Sequence, residues 1–375
     1  MIINFLNRFS YAFLFFIAAI FWLSILDLWP VGGDGNLYID IFNGVDVEAP
    51  HGYRIFLPTL ISYFTNDPIF GFNLVSVVSL FFVTLFLKKT FKYLFTTNSK
   101  IYYVALLFWL SSFPFIYYLV TQVRVDPAIF LAFSIVIYLV QVRPSFLALL
   151  IVLPISILIH EMSIIFIFYL FAEYFFNPQS KTASHLTFLK LALVLFVTSF
   201  VFLLLRFFVN VPPDPNFPFY QDKPFELFML TLESNGGFFI HGLKFYSAFG
   251  PLLIFSFLYF FLKPNKNFLV VFLTLVFAYL LSFFAIDTIR VASLLIPLLL
   301  LYCCMFLEIV KNYSQSLFYL LSIIQILYSV VIFSNLYGIE TNIQALTIGA
   351  ALSFIAFILC LNFITMFLNL QSNDQ

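Results

Sequence analysis

Charge is the scarcest property of this 375-residue chain, because only 9% of its residues are charged. An ordinary soluble domain carries roughly 25%. A soluble enzyme could not cover its surface with so few charges. The 17 basic and 17 acidic residues also cancel, so no basic excess exists to neutralise nucleic-acid phosphates. A soluble enzyme and a nucleic-acid partner are therefore both excluded, and the 63% hydrophobic content excludes a disordered chain.

Cysteine is rare, and the common catalytic motifs are missing from the sequence. The three cysteines, two of them adjacent at Cys303 and Cys304, support no disulfide framework. The sequence has no phosphate-binding P-loop, no dinucleotide fingerprint, no G-x-S-x-G elbow and no H-E-x-x-H zinc motif. Any chemistry must therefore depend little on metals or use carboxylates and arginines.

Long apolar runs predict an all-α, polytopic transmembrane helical bundle. A spanning helix needs about 20 apolar residues, whereas a β-barrel would show short alternating strands. We predict one integral-membrane domain over 1–375, in the cytoplasmic (inner) membrane, with about twelve spans and a range of about 10 to 13. The predicted spans are 9–30, 69–87, 101–120, 127–142, 145–160, 162–176, 190–209, 246–262, 268–286, 289–307, 316–335 and 343–367.

The distribution of Lys and Arg orients the chain, because basic residues concentrate in cytoplasmic loops. With the N-terminus inside, the inner side collects 11 of the 17 basic residues but only three acids, Glu173, Glu308 and Asp374. The inner basic residues are Arg8, Lys88, Lys89, Lys92, Lys100, Arg143, Lys181, Lys190, Lys263, Lys266 and Lys311. The other acids lie outside, with the two longest loops, 31–68 and 210–245. This division predicts an extracytoplasmic active face. The alternative is that acids are merely tolerated outside, because the orientation rule counts only basic residues.

Asp34 lies between two glycines in the first outer loop. Gly33 and Gly35 permit a tight turn and the close approach of a ligand. Partial desolvation at the membrane surface would raise the pKa of Asp34 and suit it to act as a general base. The alternative, which sequence physics alone favours, is a turn residue or an N-cap for a helix over 36–43.

Arginines occupy two further outer segments where a charge is costly. Arg54 opens the apolar stretch 55–64, which is too short to span and is expected in the interface or dipping into the protein. Its partner is either a lipid phosphate or a nearby carboxylate, and these alternatives are equally weighted. Arg124 and Asp126 share a very short turn between two spans. They either neutralise each other or face a polar cavity shared with Asp34.

Two ionisable pairs and one amphipathic segment complete the outer face. His160-Glu161 is a functional candidate because of its position between apolar runs, and a snorkelling surface turn is the alternative. Asp287 and Arg290 would share one face of a helix, with Asp287 as its cap and Arg290 facing the cavity as an anion-binding group. Residues 224–233 are typical of an amphipathic interfacial helix, which either covers an active site or connects two spans.

Together these motifs resemble the GT-C class of integral-membrane glycosyltransferases and the related exopolysaccharide and O-antigen polymerase-like proteins. The resemblance covers most of the chain by topology. It is carried by short motifs: Gly33-Asp34-Gly35 with Tyr38, Tyr53-Arg54-x-x-x-Pro58, Arg124 with Asp126, His160-Glu161, and Asp287-x-x-Arg290.

The resemblance implies transfer of a sugar from a polyprenyl-phosphate carrier to an acceptor glycan, lipid or protein on the extracytoplasmic side, with inversion. Asp34 occupies the position of the base. Arg54, Arg124 and Arg290 match the residues that hold the carrier phosphate, and arginine suits this role because its planar fork binds phosphate. An apolar groove between spans would hold the prenyl chain, with membrane lipids around the protein. The remaining expected substrate-binding residues are Tyr38, Asp126, His160, Glu161 and Asp287.

Two other functions stay open at this level. One is a glycan-repeat polymerase with a diphosphate-linked donor, and the other is a lipid or glycolipid transporter or flippase. Polar residues collect at the outer face and do not line a path through the bilayer, which favours an enzyme. The sequence identifies no particular cofactor. The outer acids allow a divalent cation, although no ligand geometry is fixed.

Overall fold

Helices form nearly all the regular structure of the chain. The computed structural model describes residues 2–26, 28–48, 51–95, 99–177, 182, 185–209, 224–234, 237–284, 288–336 and 343–373. The described elements are helical, which confirms the predicted all-α class. The α-helices are α1 (Ile2–Ile25), α2 (Gly33–Phe42), α3 (Phe56–Ser62), α4 (Pro68–Leu94), α5 (Ser99–Leu110), α6 (Phe113–Val120), α7 (Asp126–Gln141), α8 (Phe146–Ile159), α9 (Ile164–Phe176), α10 (Phe188–Phe208), α11 (Pro224–Ser234), α12 (Gly237–Ser247), α13 (Pro251–Leu262), α14 (Asn267–Ser282), α15 (Thr288–Ser293), α16 (Ile296–Tyr313), α17 (Gln315–Leu336) and α18 (Ile343–Asn373). Two 3-10 helices cover His51–Tyr53 and Glu161–Ser163.

Several helices are suited to cross a membrane. Four of those described are long and apolar enough: α4, α10, α16 and α18. The bent pairs α5–α6 and α12–α13 raise this number to six if each pair forms one span, and the second pair bends by 85°. Shorter apolar helices, including α7, α8 and α14, coincide with further predicted spans. The chain is therefore an integral membrane protein in type, while the count of about twelve spans and the orientation stay predictions.

The helix α16 lies at the centre of the described bundle, and α10 lies at its edge. In the most apolar stretch of α16, 67% of the residues are buried, against 17% in α10. α16 packs along α13 and also contacts α5 and α17, whereas α10 packs mainly against α8. Because α10 exposes most of its apolar side chains, it is the described long helix best suited to face lipid.

Polar contacts tie the apolar helices to one another. The indole of Trp22 donates to the carbonyl of Leu110 at 3.0 Å. The indole of Trp109 donates to the Thr84 hydroxyl at 3.1 Å. Such bonds matter in a membrane protein because polar groups in hydrocarbon find no water to pair with.

A backbone contact fixes the segment between α1 and α2 against the end of α6. The amide of Trp29 donates to the carbonyl of Val120 at 3.0 Å, and Trp29 forms a parallel bridge with Thr121.

α2 then begins after Gly32, which provides no side-chain cap. Asp34 lies within the first turn of α2, so its interpretation as a turn residue or N-cap is wrong. The predicted helix at 224–233 is confirmed as α11.

Candidate functional site

Asp34 is held by two arginines that come from distant parts of the chain. The Arg124 Nη1 donates to Asp34 Oδ2 at 2.6 Å, and the Arg290 Nη1 donates to the same oxygen at 2.9 Å. The other carboxylate oxygen, Oδ1, lies 3.5 Å from His51 Nε2. One oxygen atom thus accepts hydrogen bonds from two guanidinium groups. Paired guanidinium groups of this kind also bind phosphate oxygens well.

The electrostatics of Asp34 correct one expectation from the sequence. Burial alone would raise the pKa of this carboxyl, as predicted. The hydrogen bond from His51 and the charges of Arg290 and Arg124 outweigh burial, so the pKa of Asp34 lies well below its usual value. A carboxylate held in this way stays ionised but accepts a proton poorly. The partners, and not the desolvation, decide the sign of the shift.

Arg290 also holds Asp126, which is almost fully buried at the start of α7. The Arg290 Nη2 donates to both carboxylate oxygens of Asp126 at 2.9 Å. The interpretation in which Arg124 and Asp126 neutralise each other is therefore wrong, because each is paired elsewhere. The alternative, in which both share a polar site with Asp34, agrees with the observed contacts.

Arg54 forms a second ion pair beside the first group. Its Nε and Nη2 donate to the two carboxylate oxygens of Glu161 at 3.1 and 2.6 Å. Its Nη1 donates to the hydroxyl of Tyr38 at 3.0 Å. The carboxylate partner expected for Arg54 is therefore Glu161. The Arg54 charge and hydrogen bond hold the pKa of Glu161 well below its usual value, although burial acts in the opposite direction.

Tyr38 and His160 join the two ion-pair groups. The ring of Tyr38 meets the ring of His51 at 5.7 Å between centroids, while its hydroxyl belongs to the Arg54 pair. The Nδ1 of His160 lies 3.4 Å from Glu161 and accepts the amide of Met162 at 3.1 Å. Burial and the charge of Arg54 lower the pKa of His160 to about 4, against the opposing charges of Glu161 and Asp126. His160 is therefore neutral at pH 7.

The backbone beside Arg124 is strained. Val123 has a φ of 57°, which is costly for a β-branched residue and is a feature that clusters at functional sites. Gly35 packs directly against this turn: a Cβ there would lie 2.8 Å from Val31 Cγ1 and 3.3 Å from the Val123 carbonyl. Gly35 is thus needed for α2 to approach closely enough to bring Asp34 to Arg124.

The site opens at Asp34. The Asp34 side chain is 31% exposed, whereas the side chains of Arg124, Arg290 and Asp126 are 10%, 14% and 7% exposed. The Nε of Arg124 is buried and makes no hydrogen bond within the described residues. A ligand that arrives from the open side therefore meets the carboxylate first and the arginines behind it.

Eight of the predicted site residues belong to this one network, namely Asp34, Tyr38, Arg54, Arg124, Asp126, His160, Glu161 and Arg290. Asp287 lies outside the described residues, as do residues 210–223 and 235–236 of the predicted loop 210–245. Sequence reasoning gave no role to His51, although His51 lies three residues before Arg54 in the same outer segment. Across the described ranges, no group of three His, Cys, Asp or Glu side chains is arranged to hold a metal ion.

The chain is thus a helical membrane protein with a partly buried cluster of arginines and carboxylates, and ionisable groups in such surroundings typically mark a functional site. Residues 10–347 match the model of the EpsG family, and the chain belongs to that family. EpsG-like proteins are membrane proteins of the glycosyltransferase and polymerase kind, so an enzyme of glycan synthesis is supported in broad terms. Neither the curated proteins nor the solved structures that were compared give a match to this chain.

Proposed function

We propose that this protein is an inverting GT-C-like membrane glycosyltransferase that moves a sugar from a polyprenyl-phosphate-linked donor to an acceptor glycan, lipid or protein on the extracytoplasmic side. The observation that carries the proposal is the convergence of Arg124 and Arg290 on one oxygen of Asp34. Two guanidinium groups at one point form a phosphate site that the carboxylate occupies in the absence of donor.

Donor binding then acts by exchange of anions. Three guanidinium groups and three carboxylates balance within the cluster. An incoming phosphate replaces Asp34 on Arg124 and Arg290, and the buried Nε of Arg124 offers a further donor. Asp34 loses its two arginine partners and keeps His51, while the arginine charges are neutralised, so burial gains weight and the pKa of Asp34 rises. The base becomes competent when the donor is in place.

The chemical step needs only these groups. Asp34 accepts the proton of the acceptor hydroxyl, whose oxygen forms a bond to the anomeric carbon. The bond from that carbon to the carrier phosphate breaks on the opposite side, and Arg124 and Arg290 stabilise the charge on the departing phosphate. All three guanidinium nitrogens of Arg54 donate to Glu161 or Tyr38. We therefore assign Arg54, Glu161 and His160 to positioning Tyr38 at the donor end of the site.

The experiment is a transfer assay with purified protein in lipid nanodiscs and a panel of polyprenyl-monophosphate- and diphosphate-linked sugars. We expect transfer by the wild type and a loss of about 10²-fold or more in Arg124→Gln and Arg290→Gln. Arg143→Gln removes an exposed arginine beyond the opposite end of α7 and is the matched control, with unchanged transfer expected. Transfer that is unaffected by both site variants would overturn the assignment.

A glycan-repeat polymerase is the second candidate, because the family to which the chain belongs is compatible with a polymerase as well as with a glycosyltransferase. It would use the same arginines with a diphosphate-linked donor and would extend a glycan by whole repeat units. The donor panel separates the two functions, because each predicts a different productive donor. If the protein in lipid vesicles moves the polyprenyl-linked sugar across the bilayer without any sugar transfer, it is instead a transporter or flippase.

A further inference from the structure

Arg206 differs from the three arginines of the cluster because no carboxylate of the described residues pairs with it. Arg54, Arg124 and Arg290 each pair with an acid. No acid in the described part of the chain lies within ion-pair distance of Arg206. Its guanidinium instead lies on the ring of Tyr53, 3.7 Å from the centroid, and 5.4 Å from the ring of Phe202.

The surroundings of Arg206 are apolar and exposed. Arg206 lies in the last turn of α10, the least buried of the four long apolar helices. Its neighbours Leu203 and Phe207 are 49% and 83% exposed. A guanidinium at the end of an exposed apolar helix is costly without an anion, and the phosphate of a membrane lipid is an anion that can meet it there.

The same contact leads directly into the charged cluster. Tyr53 is buried under Leu205 and Val209 from the end of α10, and these three residues form a small apolar group separate from the main core. Tyr53 is followed in the chain by Arg54, which binds Glu161 and Tyr38. Arg206 is thus linked, through one aromatic ring and one peptide bond, to the site where we assign the sugar transfer.

We propose that Arg206, stacked on Tyr53, is a docking site for the phosphate of the polyprenyl carrier as it approaches from the bilayer. Stacking leaves the edge of a guanidinium free to donate hydrogen bonds, so Tyr53 orients Arg206 while the N–H groups bind phosphate. The assignment to the carrier depends on the proposed function. The existence of a lipid-phosphate site at Arg206 does not, since it depends on the contact between Arg206 and Tyr53 and on the exposure of α10.

The test measures lipid binding apart from sugar transfer. Purified full-length protein in neutral-lipid nanodiscs is titrated with polyprenyl monophosphate without sugar, and the bound copies per protein are counted by native mass spectrometry. We expect two copies on the wild type, one of which binds roughly tenfold more weakly in Arg206→Gln. Tyr53→Leu should weaken the same copy, whereas Tyr53→Phe, which keeps the ring, and the control Arg143→Gln should not.

Three outcomes decide the proposal. Equal binding by the wild type, Arg206→Gln and Tyr53→Leu would overturn it. Phosphatidylglycerol that displaces the Arg206-dependent copy at equal concentration would overturn the carrier assignment and identify an ordinary lipid phosphate. Arg206-dependent binding in a protein that transfers sugar from no donor would support the docking site and contradict the proposed function. If Arg206→Gln fails to fold, the Tyr53→Leu variant still tests the proposal.

Discussion

Replacement of Asp34 by Asn should improve lipid binding and abolish transfer at the same time. The Asp34 Oδ2 accepts guanidinium bonds of 2.6 and 2.9 Å, and the donor phosphate must displace both. A hydrogen bond to a charged group contributes about 1.5–3 kcal/mol. The side chain is 31% exposed, and the Asn oxygen still accepts weaker bonds. We therefore expect a net gain of about 1.4 kcal/mol, which is about tenfold tighter binding of polyprenyl phosphate.

The same substitution removes the proton acceptor, so sugar transfer should fall by about 10²- to 10⁴-fold. Both quantities are measured on one preparation in nanodiscs: lipid affinity by titration, and transfer by release of the carrier phosphate. Asp40→Asn, which alters a carboxylate of the same helix α2, is the matched control and should change neither quantity. Weaker or unchanged lipid binding by Asp34→Asn would refute the competition between carboxylate and phosphate, and wild-type transfer would refute Asp34 as the base.

Three further predictions concern the framework of the site. Gly35→Ala should lower the free energy of unfolding by about 1–3 kcal/mol and reduce transfer, because its Cβ would collide with Val31 and the turn beside Arg124. The control Gly33→Ala has open space around its Cβ and should be neutral. Equal effects of the two substitutions would contradict the close packing at Gly35. Glu161→Gln should cost about 3–5 kcal/mol by leaving Arg54 without a counter-charge, and Arg54→Met with Glu161→Leu should recover most of it in thermal unfolding; a neutral single variant would contradict a tight pair. The folded pKa of about 4 at His160 lies below the unfolded value, so its contribution to stability is present above pH 6.5 and is lost as pH falls. This loss should reach about 2 kcal/mol at pH 5, and a His160→Gln variant with the same acid sensitivity as the wild type would contradict it.

Composition was enough to predict the class of this protein. With 9% charged residues and long apolar runs, only an all-helical membrane protein was consistent with the sequence, and the described helices agree. Scarcity of charge also identified the site. In a chain so apolar, a charged side chain away from water is costly without a partner, so the predicted charged residues were expected to lie near one another.

The pairing itself could not be predicted, because it depends on how distant helices pack. Arg290 reaches Asp34 across 256 positions of sequence, and nearness in sequence wrongly suggested Asp126 as the partner of Arg124. The predicted direction of the pKa shift of Asp34 was wrong for the same reason. Burial can be expected from a membrane position, whereas two arginines and a histidine from three other segments cannot.

The contact between Arg206 and Tyr53 gave no signal in the sequence at all. The two residues share no motif and are brought together by the end of α10 lying over the short 3-10 helix. Contacts of this kind follow from tertiary packing and leave no periodic pattern.

The most direct measurement is a structure of the full-length protein with polyprenyl phosphate bound. We predict that the phosphate lies between Arg124 and Arg290, with the Asp34 carboxylate separated from both guanidinium groups and free to face an acceptor. A phosphate bound elsewhere, with Asp34 still at 2.6 and 2.9 Å from the two arginines, would contradict the exchange of anions on which the proposed function depends.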